Sequence, residues 1–491
     1  MATATKELIP FPLNLPQFKP VSIIPSSLAD LRLSISPDQL TNSTNNIHEY
    51  INSLFQYTYD SLIRTNAIST EVSIVHLLTT AKSMSYIELD SKSLSVSLPW
   101  SNYGFAGNTT ATHWSVFDEI MASVVSICLI YNYLTLQILN ENYEQSKQHQ
   151  LSDETWKKSN NLLKTSFSYL SVFKGAYEEL QQQQQQKQQQ QHLLSCVCND
   201  LEDLHKSRFN YAYHLNSSLV QLIVIFKNIY VTTTEIESRF GDFDTVPDRV
   251  GTYMKVVVFI HNEWLIIKKL ALSLASNNKE SSLSPQRNVI STAKARLMFQ
   301  TWDNFLQIIY CYYLALDNYS KQSLGIALGL IEFGLVNSID QSPLKSKLLK
   351  HVPDPNSPSK PRLFNKLRPS GSFNSKSKSN TLKEKLIFME NTSLKREFEN
   401  GNLLPSIFKH HLIMLVKLLK VLKVKLGKEN DVLYFQKVAG VKEVQDRYLF
   451  GSSSNLPSGI SVPLKNMSPF VPSCLKQFDG VSTTGVVNGY F

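Results

Sequence analysis

Residues Trp302 to Leu335, WDNFLQIIYCYYLALDNYSKQSLGIALGLIEFGL, constrain this chain more than any other stretch. Phe305, Ile308 or Ile309, Tyr312 and Leu316 recur every three or four residues. After a polar break at Asp317-Asn318, Leu324, Leu328, Ile331 and Leu335 do the same. That spacing lines one face of a helix, so the stretch predicts an αα-hairpin whose two apolar faces meet across a short turn. Gly325 and Gly329 lie on a neighbouring edge of the second helix. A glycine inside a helix costs about 1 kcal/mol relative to alanine, so the pair predicts a partner helix packed very close. Asp317, Lys321 and Glu332 flank or interrupt the run and argue against a membrane-embedded helix dimer.

The same periodicity extends through most of the chain. It predicts helices over Ile47–Thr65, around Val72–Ile87, and over Ser115–Asn140, Ser152–Leu180, Cys198–Val231 and Asp248–Leu274. Helix is predicted again from Thr381 and over Ser406–Gly427. Asp118 and Glu119 suit the positive end of a helix dipole, and Ser152-Asp153-Glu154-Thr155 has the pattern of a helix start. Ser93–Trp100 (SLSVSLPW) alternates apolar and polar residues and is the one credible strand. Leu8–Pro25 carries five prolines among apolar residues. It predicts an extended run that buries Phe11, Leu13, Leu15 and Phe18. The fold class expected is therefore all-α, an elongated, curved array of long antiparallel helices with a solenoid-like core and a minor β or extended segment near the N-terminus.

Two segments interrupt the array. Glutamines at 181–186 and 188–191 can extend a helix or lie disordered, but they bury nothing and predict an insertion at a helix–helix connection. Residues 342–380 are rich in Ser, Pro, Asn and Lys and predict a disordered linker open to kinases. The expected organisation is one helical domain over residues 1–475, insertions at 181–191 and 342–380, and a flexible tail at 476–491. Prolines 457, 463, 469 and 472 mark an extended wrap or a free end. The net charge of +9 is local, since Gln341–Lys385 alone holds eleven Lys or Arg against two acidic residues. The remainder is neutral, so the basic balance gives no reason to expect nucleic acid as a partner.

Five cysteines, three of them in apolar helical surroundings, predict a reduced intracellular chain. The first fifteen residues lack the apolar core of a signal peptide. Ile120–Leu139, the longest apolar run, carries Ser123, Ser126, Asn132, Thr135 and Gln137, which predicts a buried helix rather than a membrane span. A cytoplasmic protein is expected. The sequence has no HExxH, phosphate loop or GxSxG. His192, Cys196 and Cys198, like His410-His411, fall short of a metal-ligand pattern. No catalytic residue, cofactor or metal is expected. In Phe408–Lys428, Leu412, Leu415, Leu419, Leu422 and Leu426 form one stripe, with Lys417, Lys420 and Lys428 opposite. Alone, such a helix can lie on an anionic membrane or enter a partner's groove. Inside a helical array it is a core helix with lysines reaching to water, which is the expectation.

Four segments carry a family resemblance. IPFPLNLP (Ile9–Pro16) is similar to the proline-punctuated opening of the fungal pH-response regulators of the palC family, which are built on a BRO-one, ALIX-like domain. SVSLPW (Ser95–Trp100) resembles that domain's strand and tryptophan before a long helix. YSKQSLGIALGLIEFGL (Tyr319–Leu335) resembles its signature helix. NLPSGISVPLKNMSPFVP (Asn455–Pro472), with its Pro-Phe-x-Pro, resembles its closing segment. The resemblance implies a non-enzymatic adaptor that binds the C-terminal amphipathic helix of the ESCRT-III filament subunit in an apolar groove. It also implies linkage to an ambient-pH receptor and arrestin complex, upstream of proteolytic activation of a zinc-finger transcription factor. Peripheral recruitment to the endosome or plasma membrane is expected, and direct contact with anionic membrane is left open. By their place before the signature hairpin, Val224, Ile225, Met254 and Val258 resemble groove-lining positions. The alternative is a peripheral membrane-binding helical protein or a sorting adaptor unrelated to pH signalling.

Overall fold

A computed structural model describes residues 17–18, 28–33, 40–64, 72–88, 100–101, 113–145, 151–190, 200–238, 249–276, 292–340, 406–450, 456–464 and 467–476. Helix dominates them, and the all-α expectation holds. In chain order the helices are α1 (Ala29–Leu33), α2 (Leu40–Arg64), α3 (Ile74–Ser83), α4 (Val116–Gln145), α5 (Asp153–Gln190) and α6 (Asp200–Ser238). They continue with α7 (Val250–Ser276), α8 (Thr292–Ser320), α9 (Leu324–Asp340), α10 (Ser406–Glu429), α11 (Val441–Tyr448) and α12 (Ser473–Lys476). Four short strands are present: β1 (Gln17–Phe18), β2 (Ser85–Glu88), β3 (Trp100–Ser101) and β4 (His113–Ser115). The basic linker 342–380, the start of the helix predicted from Thr381, and His192, Cys196 and Cys198 lie outside the described residues.

The chain divides into two compact units: residues 1–224, 259–295 and 459–491 form the first, and residues 225–258 and 296–458 the second. In the first unit, α4 and α5 run antiparallel. The Cys128 thiol and the Thr135 hydroxyl reach the carbonyls of Ser166 and Ser159, so the register descends on one helix as it rises on the other. The segment Val116–Tyr143 is long and apolar enough to cross a membrane, yet 83% of its most apolar window is buried inside the protein. Leu204–Ser238 is likewise long and apolar enough, with 67% of its most apolar window buried. A helix apolar on all sides fits a core surrounded by other helices.

Local chemistry explains the helix starts. The Ser115 hydroxyl accepts from the Asp118 amide, while the Asp118 carboxylate accepts from the Ser115 amide at 2.7 Å and its hydroxyl at 2.6 Å. This reciprocal cap satisfies donors that the first turn of α4 leaves open. Ser152 caps α5 by accepting from the Thr155 amide at 3.2 Å. Helix α5 then runs to Gln190, so the glutamines through 190 continue a helix. The predicted helix 72–87 stops at Ser83. Tyr86 and Ile87 belong to β2, which pairs antiparallel with β4 through Ser85↔Ser115, Ile87↔Trp114 and Glu88↔His113. Of the predicted strand at 93–100, only Trp100 is described, in β3 against β1.

The C-terminal segment of the first unit is a wrap. The Gln221 side-chain amide donates to the Val462 carbonyl and accepts from the Val462 amide, at 3.0 and 2.8 Å. One side chain thus satisfies both backbone groups of Val462. Phe470 is buried against Tyr169, stacked at 4.4 Å between ring centroids. Beyond it the Ser473 amide donates to Asn52 at 3.0 Å and α12 packs on α2.

In the second unit, the predicted hairpin is α8 and α9, but its break lies at Lys321–Ser323 rather than Asp317-Asn318. The Asn318 amide donates back to the Leu314 carbonyl, and Asp317 pairs with Lys321, so both stay helical. Gln322, at φ 60°, makes the turn instead. Helix α10 is the core helix expected, with all five leucines of its stripe buried. It meets α9 through Gly334, where an added Cβ would lie 3.2 Å from Leu419. His411 of α10 stacks on Phe226 at 3.8 Å and, as a donor to the Ile407 carbonyl, carries its proton on Nδ1. Burial pushes its imidazole down to about 3, so it is neutral.

Candidate docking surface

The groups best suited to chemistry are consumed by one another inside the first unit. Glu119 is 0% exposed and accepts from Arg32 Nε at 2.8 Å, Trp114 Nε1 at 2.8 Å and the Tyr50 hydroxyl at 3.1 Å. Tyr50 in turn bonds Tyr86. Burial drives both phenols above their ordinary range. Beside them Asp118 bonds His205 Nε2 at 3.0 Å. Burial alone would raise the Asp118 carboxyl, but the His205 and Ser115 bonds outweigh it and hold it below the usual carboxylate range. Ser115, Asp118 and His205 have the residue types of a hydrolase triad without its wiring. The serine hydroxyl donates to the aspartate, whereas a nucleophile must donate to the histidine. The cluster fastens α1, α2, β2 and β4 to the start of α4. Among the described residues no group of three or more His, Cys, Asp or Glu is placed to hold a metal.

Large apolar side chains stand in water elsewhere, in the second unit. Helix α10 ends in a π-helical turn, Asn430–Tyr434, after which Phe435 adopts φ 50°. Val432, Leu433 and Phe435 are 68%, 67% and 75% exposed, and Tyr434, Val438 and Val441 also face solvent. Four consecutive exposed apolar residues are a liability unless something requires them.

This tip is held by a dense set of bonds. The Phe435 amide donates to the Asn430 carbonyl at 2.7 Å. The Asn430 side chain donates to the Gln436 carbonyl and accepts from the Gln436 amide, at 2.9 and 3.0 Å. The Gln436 side chain then bridges to α9, donating to the Gln322 carbonyl at 2.8 Å and accepting from the Gly325 amide at 3.0 Å. Residues 436–440 run extended along α9, and the Ala439 amide donates to the Gly325 carbonyl at 3.0 Å.

Gly325 and Gly329 are explained here, and not as predicted. A Cβ on Gly325 would lie 2.2 Å from the Lys437 carbonyl oxygen, and one on Gly329 2.5 Å from that of Ala439. The close partner is extended backbone, not a helix. Glycine is required because a carbonyl sits where a side chain would be.

The residues singled out for a groove fare differently from one another. Ile225 and Val258 are core side chains, 0% and 3% exposed. Val224 and Met254 are half-buried and keep some surface. Val224 belongs to the first unit and the other three to the second. The tip itself escaped periodicity, which registers only the buried stripe of α10. Its one sequence signal is VLYF, Val432–Phe435, four apolar residues in a row between Asp431 and Gln436.

The fold and this surface describe a helical protein that holds a fixed apolar tip in solvent. The chain belongs to a family of unknown function, DUF5355, whose model matches residues 114–491. No curated protein matches it. A solved structure described as the structure basis for endosomal targeting by the Bro1 domain is similar over 92% of this chain and 83% of its own, at 12% identity and a TM-score of 0.41.

Proposed function

We propose that this chain is a non-enzymatic adaptor. The observation that carries the reading is a contrast: the Arg32, Glu119, Asp118 and His205 side chains are buried and committed to internal partners, while large apolar side chains at 432–441 are held in water. Groups arranged for catalysis face a cavity with unspent valences, whereas docking surfaces expose apolar area on a fixed frame.

The segments at Ile9–Pro16, Ser95–Trp100, Tyr319–Leu335 and Asn455–Pro472 support a narrower form of the proposal. In it the partner is the C-terminal amphipathic helix of an ESCRT-III filament subunit, and the adaptor links that filament to the ambient-pH receptor and arrestin complex. Residues 1–475 would then act as one adaptor domain with inserts at 181–191 and 342–380, in the cytoplasm and recruited to endosome or plasma membrane. Val224 and Met254 are the positions to test, because each keeps some surface through which an introduced carboxylate can reach water. Ile225→Asp or Val258→Asp would bury an unpaired carboxylate and unfold the chain. Pull-down of the full chain on the filament subunit's C-terminal helix should succeed with the wild type and fail with Val224→Asp or Met254→Asp, each still folded by circular dichroism. Retained binding in both variants moves the docking site elsewhere, and no wild-type binding removes this partner.

A further inference from the structure

We propose that the tip Val432–Phe435 docks on an anionic bilayer, with its apolar side chains in the headgroup–acyl boundary and lysines around it on the phosphates. The inference rests on the membrane recruitment in that reading, which it assigns to one surface, and does not depend on which protein the adaptor binds. Shape is the first argument. Four consecutive residues point in different directions around one turn, yet all four keep more than a third of their surface in water. That is a protrusion, not the floor of a groove for a helix, which needs apolar residues at i, i+3 and i+4 on a concave face.

Rigidity is the second argument. Phe435 sits at φ 50°, a region that bulky side chains enter only when the surroundings force them. The Asn430 and Gln436 bonds and the close seat on Gly325 and Gly329 supply that force. A tip fixed before it meets its target loses little conformational freedom on docking.

The lysines next to the tip in the chain are the third argument. Lys428, Lys437 and Lys442 are exposed and have no ion-pair partner among the described residues. Of the nearby acids, Glu443 is taken by Arg447 at 3.2 Å, and Glu429 accepts from the Tyr319 hydroxyl at 3.2 Å with Lys425 at 3.9 Å. Asp431 and Asp446 remain, so the free rim is three lysines against two aspartates. Lysine stems lie along apolar surface while the ammonium reaches out, and aromatic rings favour the interface, so the composition suits lipid headgroups.

The test is co-sedimentation of the full chain with phosphatidylcholine vesicles, with and without phosphatidylserine. The expected result is pelleting that requires the serine lipid. Leu433→Ser/Phe435→Ser should lower vesicle partitioning by at least about tenfold with no fall in the melting temperature. Lys437→Glu/Lys442→Glu should abolish the dependence on phosphatidylserine. The proposal is overturned if the wild type stays in solution with both vesicles, or if the Leu433→Ser/Phe435→Ser chain pellets as the wild type does. Loss of a protein partner in that variant with unchanged pelleting would assign the tip to protein recognition and overturn it equally. Each outcome is independent of the pull-down with Val224→Asp and Met254→Asp.

Discussion

The polar cluster of the first unit and the apolar tip of the second invert the usual distribution of residues. Around Glu119, charges that prefer water are enclosed; at Val432–Phe435, side chains that avoid water are exposed. Both departures are held by hydrogen bonds, but the bonds do different work. In the cluster they satisfy the buried groups themselves, and removing one strands another. At the tip they satisfy only the backbone and amides beneath, and the exposed side chains take no part. Buried polar groups here serve architecture, while exposed apolar groups are what the frame is built to present.

The sharpest way to break the comparison is to unbalance the cluster. Glu119→Gln removes the buried charge that the Arg32, Trp114 and Tyr50 donors share, and should cost about 3–5 kcal/mol in urea unfolding. A loss under about 1 kcal/mol would mean that water reaches Arg32 and that the cluster is not closed.

Next comes the seat of the tip. Gly325→Ala forces the Lys437 carbonyl away and should destabilise by about 1–3 kcal/mol, freeing residues 436–440 to proteolysis. Gly427→Ala has open space around the new methyl and should stabilise by up to about 1 kcal/mol. Equal effects at the two sites would show that the 436–440 segment does not rest on α9 in solution.

Acid separates burial of a titratable ring from both regions. The His411 imidazole is pushed down to about 3 in the folded chain, below its unfolded value near 6.5. The unfolded chain therefore binds the extra proton, so this residue's contribution to stability is complete above pH 6.5 and is lost as pH falls toward 3. By pH 5 the loss should reach about 2 kcal/mol. His411→Phe, which keeps a ring on Phe226, should remove it. A variant with the same acid sensitivity as the wild type would place the titrating group elsewhere.

The smallest effect is at the tip itself. Phe435→Gly relieves a left-handed residue and should raise stability by about 1 kcal/mol in the same unfolding measurement. A stability cost instead would show that the ring packs and is not merely displayed.

Much of this protein was legible in its residues because burial leaves a period. The α10 leucines, the α8–α9 hairpin and the Ser152 cap follow from spacing and local hydrogen bonding, which involve residues close together in the chain. Strands β2 and β4 were missed because four and three residues carry too short an alternation to register. The hairpin break was misplaced by a few residues because Asn318 and Asp317 spent their polar groups inside the helix, a choice that their identity alone leaves open. The proposed groove positions were chosen by sequence order, which could not separate Val224 from the enclosed Ile225 beside it. On a helix packed nearly all round, neighbours differ in exposure only through what lies against them.

By itself, then, the sequence determined that these residues form long helices and which face of each is apolar, since both follow from contacts within a few residues. It also marked Gly325 and Gly329 as sites of close approach. What approaches them was decided only by the tertiary structure, as were the partners of Arg32, His205 and Gln221. Those contacts join residues scores or hundreds of positions apart, and no local pattern encodes which distant group will fill a given space.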